Sequence, residues 1–210
     1  MATRTWTSIL LLTTALPAFA QQGAIITALQ GRVTVEQEAP VPQPAVALTR
    51  VRPGDKLRLD ADAVLQLVYF QNARQESWRG AARLEVGEEE SRAIGSSAQP
   101  AVKQLPQMLV RQLVKTPTAE ATGRVGAVRL RSVVPPDAAQ KLDDNYALLR
   151  READASDRTP ELYLLAGLFE LKNYGRIEAS LKQWQDAAPK DAVLAAMAEH
   201  YRGAIRAAAK

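Results

Sequence analysis

Side chains able to do acid–base or metal chemistry are few in this chain, and they are scattered. Glu88-Glu89-Glu90 follow a glycine, Asp143-Asp144 adjoin within a helical pattern, and Asp60 and Asp62 flank a turn. Carboxyl-pair glycoside chemistry needs two acids facing each other across roughly 5 to 9.5 Å. Adjacent residues on a helix diverge by about 100°, and a run of three glutamates reads as a solvated face, so neither pattern supplies such a pair. Calcium takes roughly six to eight oxygen ligands, more than the Asp60/Asp62 turn offers. The one histidine, His200, has no Ser, Asp or second His at a catalytic spacing and reads as a surface residue. Cysteine is absent, which removes disulfides, thiolate nucleophiles, thiolate metal sites and lipid-modified cysteine. G-x-S-x-G, H-E-x-x-H, P-loop and G-x-G-x-x-G patterns are also missing. Gly123-Arg124-Val125-Gly126 matches only G-x-x-G, and it precedes a strand pattern, whereas a phosphate loop opens a helix. The expectation is a non-enzyme with no catalytic, cofactor or metal residues. The competing expectation is an enzyme, or an accessory subunit of one, acting on the cell wall with Glu76 or Glu85 as acids.

Aromatic side chains are the better candidates for binding. Trp78 stands in a stretch whose neighbours Gln75, Glu76, Ser77 and Arg79 are polar, while Tyr69 and Phe70 bring aromatic surface to the preceding strand. A ring beside a guanidinium on a sheet face can grip a sugar or a peptide. The alternative is that Trp78 fills the core of a small β-unit.

The first twenty residues set the compartment. Arg4 provides a positive start, residues 9–16 a short apolar run, and Ala18-Phe19-Ala20 an A-x-A cleavage site. That run is far shorter than the roughly 20 residues needed to cross a bilayer. A cleaved secretory leader ending near Ala20-Gln21 is expected, and twin arginines are absent. Its removal takes the formal net charge from +4 to +3. Export without disulfides suits the bacterial envelope, so the expected location is periplasmic or secreted. The basic excess is diffuse, which argues against nucleic acid as a partner. Nothing later in the chain has the length of a membrane span. Hydrophobic residues make up 47% of the chain but aromatics only 5%, so small cores joined by linkers are expected.

From residue 24 to about 95 the apolar period is two, as in strands. Residues 24–27 and 32–36 flank Gly31, the prolines at 40, 42 and 44 mark a loop or strand edge, and Arg52-Pro53-Gly54-Asp55 is a turn. Residues 56–59, 64–70, 75–79 and 82–86 follow as strands, the second of them (VLQLVYF) central and largely buried. The order Gly31-x-Val33-x-Val35, Pro-rich gap, GDKLRL from Gly54 and then VLQLVYF resembles the FecR-like domain of bacterial envelope proteins. The resemblance implies a small β-fold with a binding role. It departs from the family at Gln71-Asn72-Ala73-Arg74, where members usually carry Asp-Gly-Ser. The membrane span and anti-sigma segment of signalling members have no counterpart here, so no transcription-control role carries over.

Residues 96–136 read as a Pro/Ser-rich linker holding one short helix, 107–115, and a strand, 125–132. Beyond Pro135-Pro136 the period becomes 3.6. Asp137 is expected to cap a helix to about 153, Thr159 to cap one with Pro160 at its first position, and further helices to cover 176–188 and about 191–208. Tyr174, Ile177, Leu181 and Trp184, counted back from Pro189, resemble the second helix of a tetratricopeptide repeat, with the small residue of the first helix displaced to Ala166-Gly167. One repeat cannot bury its faces alone, so the flanking helices must complete the stack. The resemblance implies that Phe169 and Glu170 face a concave, peptide-accepting side. The expected fold is therefore α+β: leader 1–20, a small antiparallel β-sandwich or barrel 21–95, linker 96–136, and a tetratricopeptide-like helical hairpin domain 137–210. The expected role is an envelope adaptor without cofactor, binding an envelope protein or peptidoglycan through one unit and a second protein through the other. The binding candidates are Trp78, Tyr69, Arg79, Phe169 and Glu170.

Overall fold

A computed structural model describes residues 23–36, 42–117 and 137–209. The leader, the 125–132 strand pattern and the G-x-x-G at 123–126 lie outside the described residues. The described part is α+β: ten strands followed by five helices. The strands are β1 Ala24–Gln30, β2 Val33–Glu36, β3 Gln43–Pro44, β4 Arg50–Val51, β5 Lys56–Leu59, β6 Val64–Tyr69, β7 Arg74–Arg79, β8 Ala82–Val86, β9 Ser91–Ala93 and β10 Ala101–Gln104. They form two antiparallel five-stranded sheets, ordered β10-β7-β6-β1-β4 and β3-β2-β5-β8-β9. The helices are α1 Gln107–Leu113, α2 Ala138–Glu152, α3 Thr159–Glu170, α4 Tyr174–Ala187 and α5 Ala192–Ala208.

The sheets face each other as a sandwich, and no closed barrel forms. Strand alternation sends Ala24 and Ile26 of β1 and Leu65, Leu67 and Tyr69 of β6 into the space between them, where they meet Leu57 and Leu59 of β5 and Leu84 and Val86 of β8. The intervening residues, Ile25 and Val68, point the other way and join a second core with the helices. This explains why VLQLVYF is apolar on both faces: the middle strand of the first sheet is covered on each side. Its one polar residue, Gln66, accepts a 2.9 Å hydrogen bond from the Thr27 hydroxyl of β1. Gly31 makes the β1–β2 connection possible, with φ of 71° and a position where a Cβ would press on the Ala63 backbone. Pro44 sits in the two-residue edge strand β3, the place in a sheet that tolerates a missing amide.

Two strands lie where the sequence shows no alternation. β9 follows the Glu88–Glu90 run, and β10 falls inside the stretch expected to be linker, pairing with β7 from Ala101↔Ser77 to Gln104↔Arg74. β10 leads directly into α1, whose Leu109, Val110 and Leu113 enter the second core. The Arg50 guanidinium reaches from β4 to donate to the Val114 carbonyl at the end of α1 and lies 5.7 Å from the centroid of the Phe70 ring.

In the helical layer α3 is the centre. Every residue from 159 to 168 is buried, because α1, α2 and α4 all pack on it; a helix apolar all round belongs in an interior. α5 packs on α4 and on β1. Gly167 lets α2 approach closely, since a Cβ there would overlap the Leu142 side chain. The helix starts differ in detail from expectation. Asp137 stands at the N-cap position of α2 but makes no capping bond, pairing instead with Lys141 at 2.7 Å. α3 begins one residue early: Arg158 holds the N-cap position, Pro160 the second helical position, and the Asp157 carboxylate accepts from the Thr159 amide at 2.9 Å and hydroxyl at 2.5 Å. Asn173 and Asp191 do cap, Asp191 accepting from the amides of Val193 and Leu194 at 2.9 and 3.1 Å.

A half-buried ion chain around the buried Glu161 fixes the α2–α3 turn. Arg150 donates to both oxygens of the buried Glu161 at 3.0 and 3.1 Å and to the carbonyls of Ala153, Asp154 and Asp157. Arg158 extends the chain from Glu161 to Asp191 at 2.8 Å. Removing one member of such a set leaves a charge buried without its partner.

Replacing a mid-helix glycine by alanine ordinarily stabilises by about 0.5–1 kcal/mol. Here the overlap with Leu142 reverses the sign: Gly167→Ala is expected to lower unfolding free energy by about 1–3 kcal/mol. Denaturant titration checks it, and a stabilised variant would mean that α2 and α3 are not in close contact at this position.

Candidate functional site

The five candidate side chains fall into two places. Tyr69 and Trp78 lie inside the sandwich, 0% and 2% exposed, and present no surface to a ligand. The idea of Trp78 as an exposed sheet-face ring is thus corrected in favour of core filling. Its polar neighbours mislead because two of them, Gln75 and Glu76, are themselves buried. Arg79, at the end of β7, is exposed. Phe169 and Glu170 end α3 in the helical layer.

Around Trp78 is a polar cluster that spans the two sheets. The Glu76 carboxylate of β7, 0% exposed, accepts from Arg74 Nε at 2.8 Å, from Trp78 Nε1 at 3.1 Å, and from the Ser91 amide at 3.2 Å. The Ser91 hydroxyl donates to it as well, and β9 thereby ties the second sheet to the first. Four donors thus surround Glu76, and no part of it is exposed. Glu85 lies on the opposite, solvent face of β8, so the two acids considered for wall chemistry do not share a cleft. Burial, with the Glu76 charge adding to it, pushes the Tyr69 phenol well above its ordinary range. Its hydroxyl lies beside Ser91 and the Gly87 backbone without reaching hydrogen-bond geometry to either.

Beyond this cluster the β8–β9 connection forms a half-open hollow of about 470 Å³, lined by Glu85, Val86, Gly87, Glu88, Glu89, Glu90 and Arg92. Arg74 links rim to interior, facing Glu76 and also Glu90 at 3.6 Å. The glutamate run is solvated, as expected, but it edges a concavity that the spacing of the residues does not disclose. Among the described residues no group of three or more His, Cys, Asp or Glu is placed to hold a metal ion.

At the second place, the Phe169 ring packs on Tyr174 and Tyr201, with centroids 5.5 and 6.1 Å apart. Glu170 accepts from Lys115 Nζ at 2.8 Å and Gln112 Nε2 at 3.3 Å, both from α1 and the turn after it. Next to them His200 Nε2 lies 2.5 Å from the Pro117 carbonyl, so Nε2 carries the proton and donates. This side of the helices is therefore gripped by residues 112–117 of the same chain. Burial pulls the His200 imidazole below its usual range, offset in part by the Pro117 carbonyl.

Of the five candidates, Tyr69 and Trp78 fill the sandwich core, Arg79 is at the surface, and Phe169 and Glu170 meet residues of the same chain. The outer face of the second sheet, carrying exposed Arg58, Arg83, Glu85 and Arg92, faces solvent. No protein-family model, curated protein or solved structure matches the chain.

Two expectations follow. Glu76→Leu strands the Arg74, Trp78 and Ser91 donors and should cost on the order of 3–5 kcal/mol in chemical denaturation, with Ser91→Ala costing about 1–3; a loss below about 1 kcal/mol for Glu76→Leu would show that the cluster does not bind the sheets together. His200 binds its proton more weakly folded than unfolded, so stability is full at neutral pH and declines as pH falls through about 6.5. It is the only histidine, so His200→Gln, which keeps an N–H for Pro117, should flatten the Tm slope between about pH 7.5 and 5.5. An unchanged slope would contradict the assignment.

Proposed function

We propose that this chain is an exported, non-enzymatic adaptor of the bacterial envelope. A FecR-like β-unit engages an envelope protein or cell-wall glycan, and a tetratricopeptide-like helical unit engages a second protein. The observation that carries the reading is the use made of the buried acids. Glu76 and Glu161, which burial would otherwise suit to catalysis, are both consumed by internal guanidinium, indole, hydroxyl or amide partners. The groups left at the surface are suited to recognition.

The FecR-like likeness is supported by where its motif residues stand. Gly31 occupies the left-handed turn into β2, Gly54 the turn before β5, and VLQLVY is the middle strand of the first sheet. The tetratricopeptide likeness draws support from the contact between α3 and α4 and from Ile177 and Leu181, which are both fully buried. Among the described residues no helix is long and apolar enough to cross a membrane. The A-x-A leader pattern supplies the location.

The test uses the full chain expressed in a bacterium with its leader. The exported product should begin at Gln21 on N-terminal sequencing. That product, immobilised, should retain a defined protein from envelope extract or co-sediment with purified peptidoglycan. Failure in both binding assays, or turnover of peptidoglycan by the purified protein, would overturn the proposal.

A further inference from the structure

We draw no further inference here: the strongest candidate, the half-open hollow lined by Glu85, Glu88, Glu89, Glu90 and Arg92 at the β8–β9 connection, is an acidic cluster whose buried neighbour, the Tyr69 hydroxyl, lies beside Ser91 and the Gly87 backbone beneath it and points to no ligand.

Discussion

The β1–β6 pair at the centre of the first sheet has to be buried on both faces. β6 carries Leu65, Leu67 and Tyr69 toward the second sheet and Val68 toward the helices, and β1 does the same with Ala24 and Ile26 against Ile25. At about 25 cal/mol per Å² of apolar surface removed from water, neither side of that strand pair can be left wet without a large loss. An antiparallel sheet commonly keeps one face solvated, but this central pair is apolar toward both sides. The second sheet answers one side and the helical layer the other. In that layer α5 packs on β1, α1 shares the core with Ile25 and Val68, and α1, α2 and α4 pack around α3.

Polar interactions finish what apolar burial begins. Glu76 with Ser91 and Trp78 fixes how the two sheets sit on one another. Arg50 on Val114 fixes α1 against the sheet, and Arg150 with Glu161 fixes α2 against α3. Buried charges of this kind add little net stability compared with apolar replacements, but breaking one partner is costly. Their effect is to choose a single arrangement among those the apolar surfaces would accept.

Much of the fold is legible in the chain. The period-two pattern locates β1, β2, β5, β6, β7 and β8, and Asp191 marks the last helix start, whereas α4 begins at Tyr174, two residues before the expected 176, with Asn173 as its cap. β10 was hidden because all four of its residues are exposed, so it has no apolar alternation to display. β9 was hidden by its length of three residues. Thr159 looked like a cap, and the actual acceptor is Asp157 two positions earlier. The candidate site was less legible. Whether Trp78 is a surface ring or core filling stays open in the sequence, because its polar neighbour Glu76 is buried with a hydrogen-bond partner far away in the chain, Ser91. Spacing along the chain cannot show that Glu76 and Ser91 meet, or that residues 112–117 return to Glu170 and His200, because those contacts are made only once the layers close.

If the first sheet is shared by both layers, sandwich and helices cannot melt apart. Trp6→Phe together with Trp184→Phe leaves Trp78, inside the sandwich, as the only tryptophan of the chain. The most direct measurement is thermal unfolding of that variant followed at once by Trp78 fluorescence and by helical circular dichroism. A shared core predicts one transition with coincident midpoints in the two signals. Helices that melt while Trp78 stays buried, or the reverse, would contradict it.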